Sequence, residues 1–233
     1  MTPASKDTIQ GVGLGFLAGY VDTLGFVALF GLFTAHVTGN FVLIGAGLSQ
    51  MSRAAGAGSL LIKFLAFPAF ISGVVVARLF ITAMGRRQRP VLQLAMLLQL
   101  TFLVGFMLLG LLASPIGAVQ TPLAISAGML GAIAMGVHSA NARLLMPQLA
   151  PTSLMTGNVT QIVIDAVDIA RGAADAATRA RCGKFIWPVL AFGIGAIMAA
   201  YAYLLMGFWA LLLPILILAG LALMENRVLT DAG

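Results

Sequence analysis

AGYVDTLGFVALFGLFTAHVTGN, residues 18–40, and MGVHSANARLLMPQLAPTSLMTGN, residues 135–158, decide how this chain is read. Each carries a glycine near its start, Gly19 and Gly136, and each ends on Thr-Gly-Asn, at Asn40 and Asn158. The match continues downstream, where Ala69, Phe70, Gly73 and Ala77 recur as Ala191, Phe192, Gly195 and Ala199 at a constant offset of 122. Lys63-Phe64 and Lys184-Phe185 open these two stretches. A chain that repeats itself is read as copies of one unit before any residue is read singly.

Composition supplies the environment of that unit. The chain has 233 residues, 61% hydrophobic and 9% charged, against about 45–50% and about 25% in soluble domains. With a mean hydropathy of +1.05 and long uncharged runs, most of it must dissolve in lipid. Thirteen Lys and Arg against seven Asp and Glu give +6, but no basic face with interleaved aromatics points to nucleic acid. The lone Cys182 excludes an intrachain disulfide framework and a Cys-based metal cluster. The opening MTPASKD lacks the basic n-region and short apolar run of a secretory signal, so the first apolar run is expected to be a retained helix.

A bilayer core of roughly 30 Å needs about 20 apolar residues in a helix. Six runs qualify, at about 10–33, 60–82, 91–113, 122–146, 185–206 and 207–224. The expectation is an all-α polytopic protein, one membrane domain over residues 1–233, with repeat 1 at about 10–113 and repeat 2 at about 122–224. Lys and Arg concentrate on cytoplasmic loops. Arg86, Arg87, Arg89, Arg171, Arg179, Arg181 and Lys184, with Lys6 and Arg227 near the ends, then fall on one side, leaving Arg53 and Lys63 on the other. Both termini are expected to be cytoplasmic. Three spans per copy force the second copy upside down, an inverted repeat, a plan that places transporter sites near midplane where broken helices meet. Gly11, Gly15 and Gly19 on the first span and Gly128, Ala132, Gly136 and Ala140 on the fourth form small-residue faces, which let helix backbones approach closely in lipid. Spans one and four are therefore expected to sit centrally.

The Thr-Gly-Asn motifs come next. Thr38, Gly39 and Asn40 precede a short apolar run to Leu48, and Thr156, Gly157 and Asn158 precede an amphipathic stretch carrying Asp165 and Asp168. Each is expected to begin a re-entrant or broken half-helix. Two opposed N-termini would present N–H groups and positive dipole ends to the middle, favouring an anionic or strongly polar group; an ordinary capped helix is the alternative. Asp22 lies about 16 Å inside the first span, where an ionised carboxylate costs about 2.5–3.5 kcal/mol. It could take up a proton, hold a cation or bind a basic group, or be satisfied by hydrogen bonds between helices. His36 beside the first motif and His138, Ser139 and Asn141 in the fourth span complete the candidates. No HExxH, carboxylate cluster or Cys partner accompanies the histidines, so neither a metal nor another cofactor is expected. Gln93 and Gln99 are expected to bond between helices. Arg143 is read as a snorkelling side chain, with pairing to Asp22 as the alternative.

The residues AGYVDTLGFVALFGLFTAHVTGNFVLIGAGL, 18–48, together with the second Thr-Gly-Asn, resemble the YoaK-like family of uncharacterised bacterial membrane proteins. The resemblance implies a multi-spanning inner-membrane protein of about this length and supplies no substrate or catalytic residue. Where the family resembles G-x-Q-N-A, this chain reads Gly136-Val137-His138-Ser139-Ala140. The expected function is a secondary transporter or facilitator of a small polar or charged solute, anionic in one version, coupled to protons or cations through Asp22. A channel and a non-transporting scaffold or sensor are the alternatives. An enzyme is not expected, because only one carboxylate lies at membrane depth and no GxSxG nucleophile occurs. The partners expected are lipid and the solute. A homodimer is compatible with this size, and no sequence feature decides it.

Overall fold

The computed structural model describes residues 3–49, 60–152 and 154–231. Arg53, used in the charge count, lies outside the described residues. The elements are α1 (Pro3–Ala28), α2 (Gly39–Ser49), α3 (Leu60–Arg86), α4 (Val91–Ala113), α5 (Pro122–Leu145), α6 (Met155–Ala170), α7 (Ala176–Met206) and α8 (Leu212–Asp231), with a 3-10 turn at Gly207–Leu211 between the last two. No strand occurs among the described residues. Five segments are long and apolar enough to cross a membrane: Ser5–Ala28, Leu60–Arg86, Val91–Ala113, Pro122–Leu145 and Ala176–Glu225. The fifth and sixth expected spans fall together in the last of these, which is 50 residues long and turns at Gly207.

Local chemistry explains where the helices begin and end. α1 stops at Ala28, short of the expected 33, because the Gly31 amide bonds the Phe26 carbonyl at 3.1 Å with Phe30 at φ 55. This is a Schellman-type end with a phenylalanine where glycine is usual. α5 starts at Pro122 with the Thr121 hydroxyl accepting from the Ala124 amide at 3.2 Å. α7 begins nine residues before the expected 185, because the Asp175 carboxylate accepts from the Thr178 amide at 2.7 Å and the capped helix extends beyond its apolar run. Pro68 inside α3 and Pro188 inside α7 are the kind of interruption that membrane helices tolerate.

Packing rests on two close crossings, α1 on α7 and α3 on α5, with α4 lying along α5. A Cβ added at Gly19 would collide with the Phe192 carbonyl, and one at Gly136 with the Phe70 carbonyl. Reciprocally, a Cβ at Gly195 would collide with the Phe16 carbonyl and one at Gly73 with the Ile133 carbonyl. With Gly15 against the Pro188 carbonyl, backbone thus touches backbone at five glycines. α1 and α5 sit centrally: 67% and 61% of their apolar windows are buried, against 39% in each of the other three segments. α3 and α7 turn Phe64, Leu79, Ile194, Ile197 and Leu205 outward, as lipid requires of a surface it solvates. The first turns of α1 are tied to α8, with Lys6 2.8 Å from Glu225 and Gln10 also bonded to it. The start of α1 therefore lies beside the end of α8.

Gly19→Ala and Gly136→Ala are each expected to destabilise the protein by about 1–3 kcal/mol through forced separation of helices. Gly193→Ala, whose Cβ meets nothing within 4 Å, should be neutral or mildly stabilising, as helix propensity dictates. Thermal unfolding of the three variants in detergent checks the contrast.

Candidate functional site

Asp22 is buried near the end of α1, and its partners are all local to the segment that follows. Its Oδ1 accepts the Thr34 and Ala35 amides at 2.8 and 2.7 Å, with the Thr34 hydroxyl at 3.4 Å. Its Oδ2 lies 2.7 Å from His36 Nδ1. The carboxylate thus folds the chain back after α1 by giving partners to amides that no helix satisfies. Arg143 is not among these partners; it borders a cavity of about 210 Å³ with Ser139, Pro147 and Pro151. The bond to Asp22 raises the His36 pKa above its usual 6.5, against the opposing effect of burial. The imidazole also meets Phe192 of α7 edge-on, with ring centres 5.5 Å apart.

The two Thr-Gly-Asn motifs share a geometry of their own. The Asn40 side chain accepts from the Phe33 amide at 3.0 Å and donates to the Phe33 carbonyl at 2.8 Å. Asn158 donates to the Pro151 carbonyl at 2.9 Å, the residue seven positions back in both cases. Pro151 has no amide hydrogen to return, so the second clip keeps one bond of the two. Thr38, Thr156 and Gly157 are exposed, and Gly39 is half-buried. The amides of Gly39, Asn40 and Phe41 bond the carbonyls of His36, Val37 and Thr38 at 2.8, 3.1 and 3.2 Å. Those donors, expected to be free, are spent within the turn. α2 packs on α3 and α6 on α7, and among the described residues α2 and α6 do not pack on each other.

His138 lies buried in α5 between Gln99 of α4, at 3.2 Å from Nδ1, and Thr152, at 2.7 Å from Nε2. Donation from Gln99 to Nδ1 leaves the Nε2 hydrogen for the Thr152 hydroxyl, an assignment made from the network. Asn141 donates to the Ala95 carbonyl at 3.0 Å, while its own buried Oδ1 accepts from no described residue. The structure therefore gathers Asp22, His36 and Asn40 around the segment after α1, and His138 and Asn158 around the segment after α5. It does not bring the two groups into one set of contacts.

Several working residues carried weak signals in the sequence. Lys63 is buried in the first turn of α3 and donates to the Phe30 carbonyl at 2.6 Å; a lysine opening an apolar span was the visible sign. Asp165, fully buried, accepts twice from Arg181, at 3.0 and 2.6 Å, and once from Gln161 at 2.9 Å. The Arg181 guanidinium holds the Asp165 carboxyl below the usual carboxylate range. This bidentate pair clamps α6 to α7 across 16 positions of sequence, a distance at which spacing gives no signal. Among the described residues no group of three His, Cys, Asp or Glu converges on a common point.

Fold and site together define an all-helical, multi-pass membrane protein with interhelical polar clips. Residues 10–224 match the family described as Protein of unknown function (DUF1275), and the chain belongs to that family. No curated protein and no solved structure matches it.

His36 gives a pH signature. Because its folded-state pKa is raised, its stabilisation is complete below the ordinary value and is lost as pH rises through the folded one. The melting-temperature difference between wild type and His36→Gln is expected to be larger at about pH 6 than at about pH 9; a difference constant with pH would contradict the pairing. For the clamp, Arg181→Gln should speed amide hydrogen exchange across α6 while leaving α4 and α5 unchanged.

Proposed function

We propose that this protein is a secondary transporter or facilitator of a small polar or charged solute, built as two inverted three-span repeats. The observation that carries the reading is the recurrence of one crossing. Gly19 on Phe192 and Gly195 on Phe16 become, through the sequence repeat, Gly136 on Phe70 and Gly73 on Ile133. α1 of one copy is thus married to α7 of the other, and α5 to α3. The Asn clips on Phe33 and Pro151 repeat in the same way. The segment Ala176–Glu225, at about 75 Å if straight, is far longer than one crossing needs, and its turn at Gly207 supports two spans and hence six in all. Lys6 and Gln10 on Glu225 support ends on one side, which the charge bias makes cytoplasmic, in the inner membrane. The resemblance to the YoaK-like family belongs with this reading. Inverted repeats supply the two nearly equivalent halves that alternating access needs.

In this reading Asp22 and His36 form the coupling element: together they hold the segment after α1, and a change in their shared proton would loosen it. The backbone bonds to Asp22 make it a positioning group as much as an ion carrier. The 3.3 Å approach that a Cβ at Gly11 would make to Pro188, and the 2.6 Å approach at Gly15, close the α1–α7 seam, which supports a carrier over an open channel.

Reconstitution into liposomes tests the proposal. Saturable uptake with counterflow is expected from a solute panel, with Asp22→Asn losing its pH dependence and lowering flux about tenfold or more. Unsaturable flux would replace the carrier by a channel. Wild-type flux and pH dependence in Asp22→Asn would remove the coupling role.

A further inference from the structure

At the end of the fold where Lys6 meets Glu225, α1, the segment after α5 and the first half of α7 enclose a cavity of about 420 Å³. Asp7, Thr8 and Gly11 line it from α1, Gln148 from the connecting segment, and Lys184 and Trp187 from α7. Its floor is the seam where α1 begins to press on Pro188.

The opposite end of the fold shows that such a space is not forced by the packing. Gly128 is the repeat counterpart of Gly11, and a Cβ there would meet Leu32 at 2.7 Å and Ile62 at 3.0 Å. Beside it Lys63 is buried on the Phe30 carbonyl in the segment after α1. That corner is filled and its lysine is engaged. At the cavity end, Lys184 opens the matching stretch of α7, is exposed and makes no hydrogen bond or ion pair with the described residues. Among the described residues Asp7 forms no ion pair either, and its one side-chain hydrogen bond is a long 3.4 Å contact from Gln148 Nε2.

A carboxylate and an ammonium therefore border one cavity without neutralising each other. A ligand carrying a single charge would satisfy one of them and be repelled by the other. A ligand carrying both charges meets a partner for each, and Thr8, Gln148 and the Trp187 ring add polar contacts and an apolar wall. We propose that this cavity binds a small zwitterion of the amino-acid class, its carboxylate on Lys184 and its ammonium toward Asp7. The proposal rests on the transport reading for treating the ligand as a solute in transit; binding itself does not depend on it.

The test uses the full-length protein in detergent. Thermal unfolding and tryptophan fluorescence are recorded against the twenty standard L-amino acids, counting glycine, and glycine betaine. Each responding amino acid is compared with its N-acetyl form, which keeps only the negative charge, and its amide, which keeps only the positive one. At least one zwitterion should shift the melting temperature saturably, with both blocked forms weaker by about tenfold or more, the factor worth roughly 1.4 kcal/mol. Lys184→Gln should then bind the amide about as well as the parent amino acid, and Asp7→Asn should do the same for the N-acetyl form. Both side chains are solvent-accessible, and an unchanged elution volume and melting temperature without ligand establish that the variants fold. No response from any zwitterion, or blocked forms binding as tightly, would overturn the proposal. A zwitterion that binds but is never moved into liposomes leaves the site standing and removes the transport reading. Saturable flux of another solute with no binding here does the reverse.

Discussion

Backbone contact between helices governs this structure. In lipid, apolar side chains gain little by leaving one hydrocarbon surface for another, so helices adhere where small residues let their main chains meet. Gly19, Gly136, Gly73 and Gly195 are the closest of those places, each facing a carbonyl of the partner helix. Everything else is arranged around the two seams. α1 and α5 become the central helices, α3 and α7 their outer partners, and the polar connections after α1 and α5 are delivered to positions where side chains can hold them.

Those connections show how a low-charge protein uses its few polar groups. A chain leaving a helix inside a membrane protein carries amides and carbonyls that lipid cannot satisfy. Asp22 takes the amides of Thr34 and Ala35, Asn40 brackets Phe33, and Lys63 takes the Phe30 carbonyl. The second connection is held by His138 on Thr152 and Asn158 on Pro151. An ionisable residue at membrane depth is thus also a structural device, and the cost of burying it is offset by the backbone groups it satisfies. Phe30, at φ 55, is held in the left-handed region, which costs a residue other than glycine about 1–3 kcal/mol and persists only where its surroundings impose it. The Lys63 bond to its carbonyl is part of that surrounding.

Much of the fold could be read from the chain because lipid imposes a length on apolar runs. α4 and α5 begin and end within a residue of the reading, and the glycine faces identified the central helices. The larger errors sit at α1, α7 and α8, where α1 ends in a Schellman-type turn, α7 starts at the Asp175 cap and α8 starts only after the 3-10 turn at Gly207–Leu211; none of these depends on hydropathy. What the candidate residues touch was not legible. Asp22 and His36 touch each other and Asn40 holds the same segment through Phe33, while Thr156 and Gly157 are exposed and the second group around His138 and Asn158 stands apart.

By itself the sequence determined the helical class, the approximate spans, the repeat and the residues rich enough in chemistry to matter, since period, hydropathy and self-similarity are properties of one dimension. Only the tertiary structure decided what those residues touch. It set Asp22 on backbone amides, joined Asp165 to Arg181, closed one corner around Lys63 and left the other open between Asp7 and Lys184. Partner and cavity depend on which helices cross and at what separation. That separation is fixed where glycine meets carbonyl, at positions more than fifty residues apart in the chain.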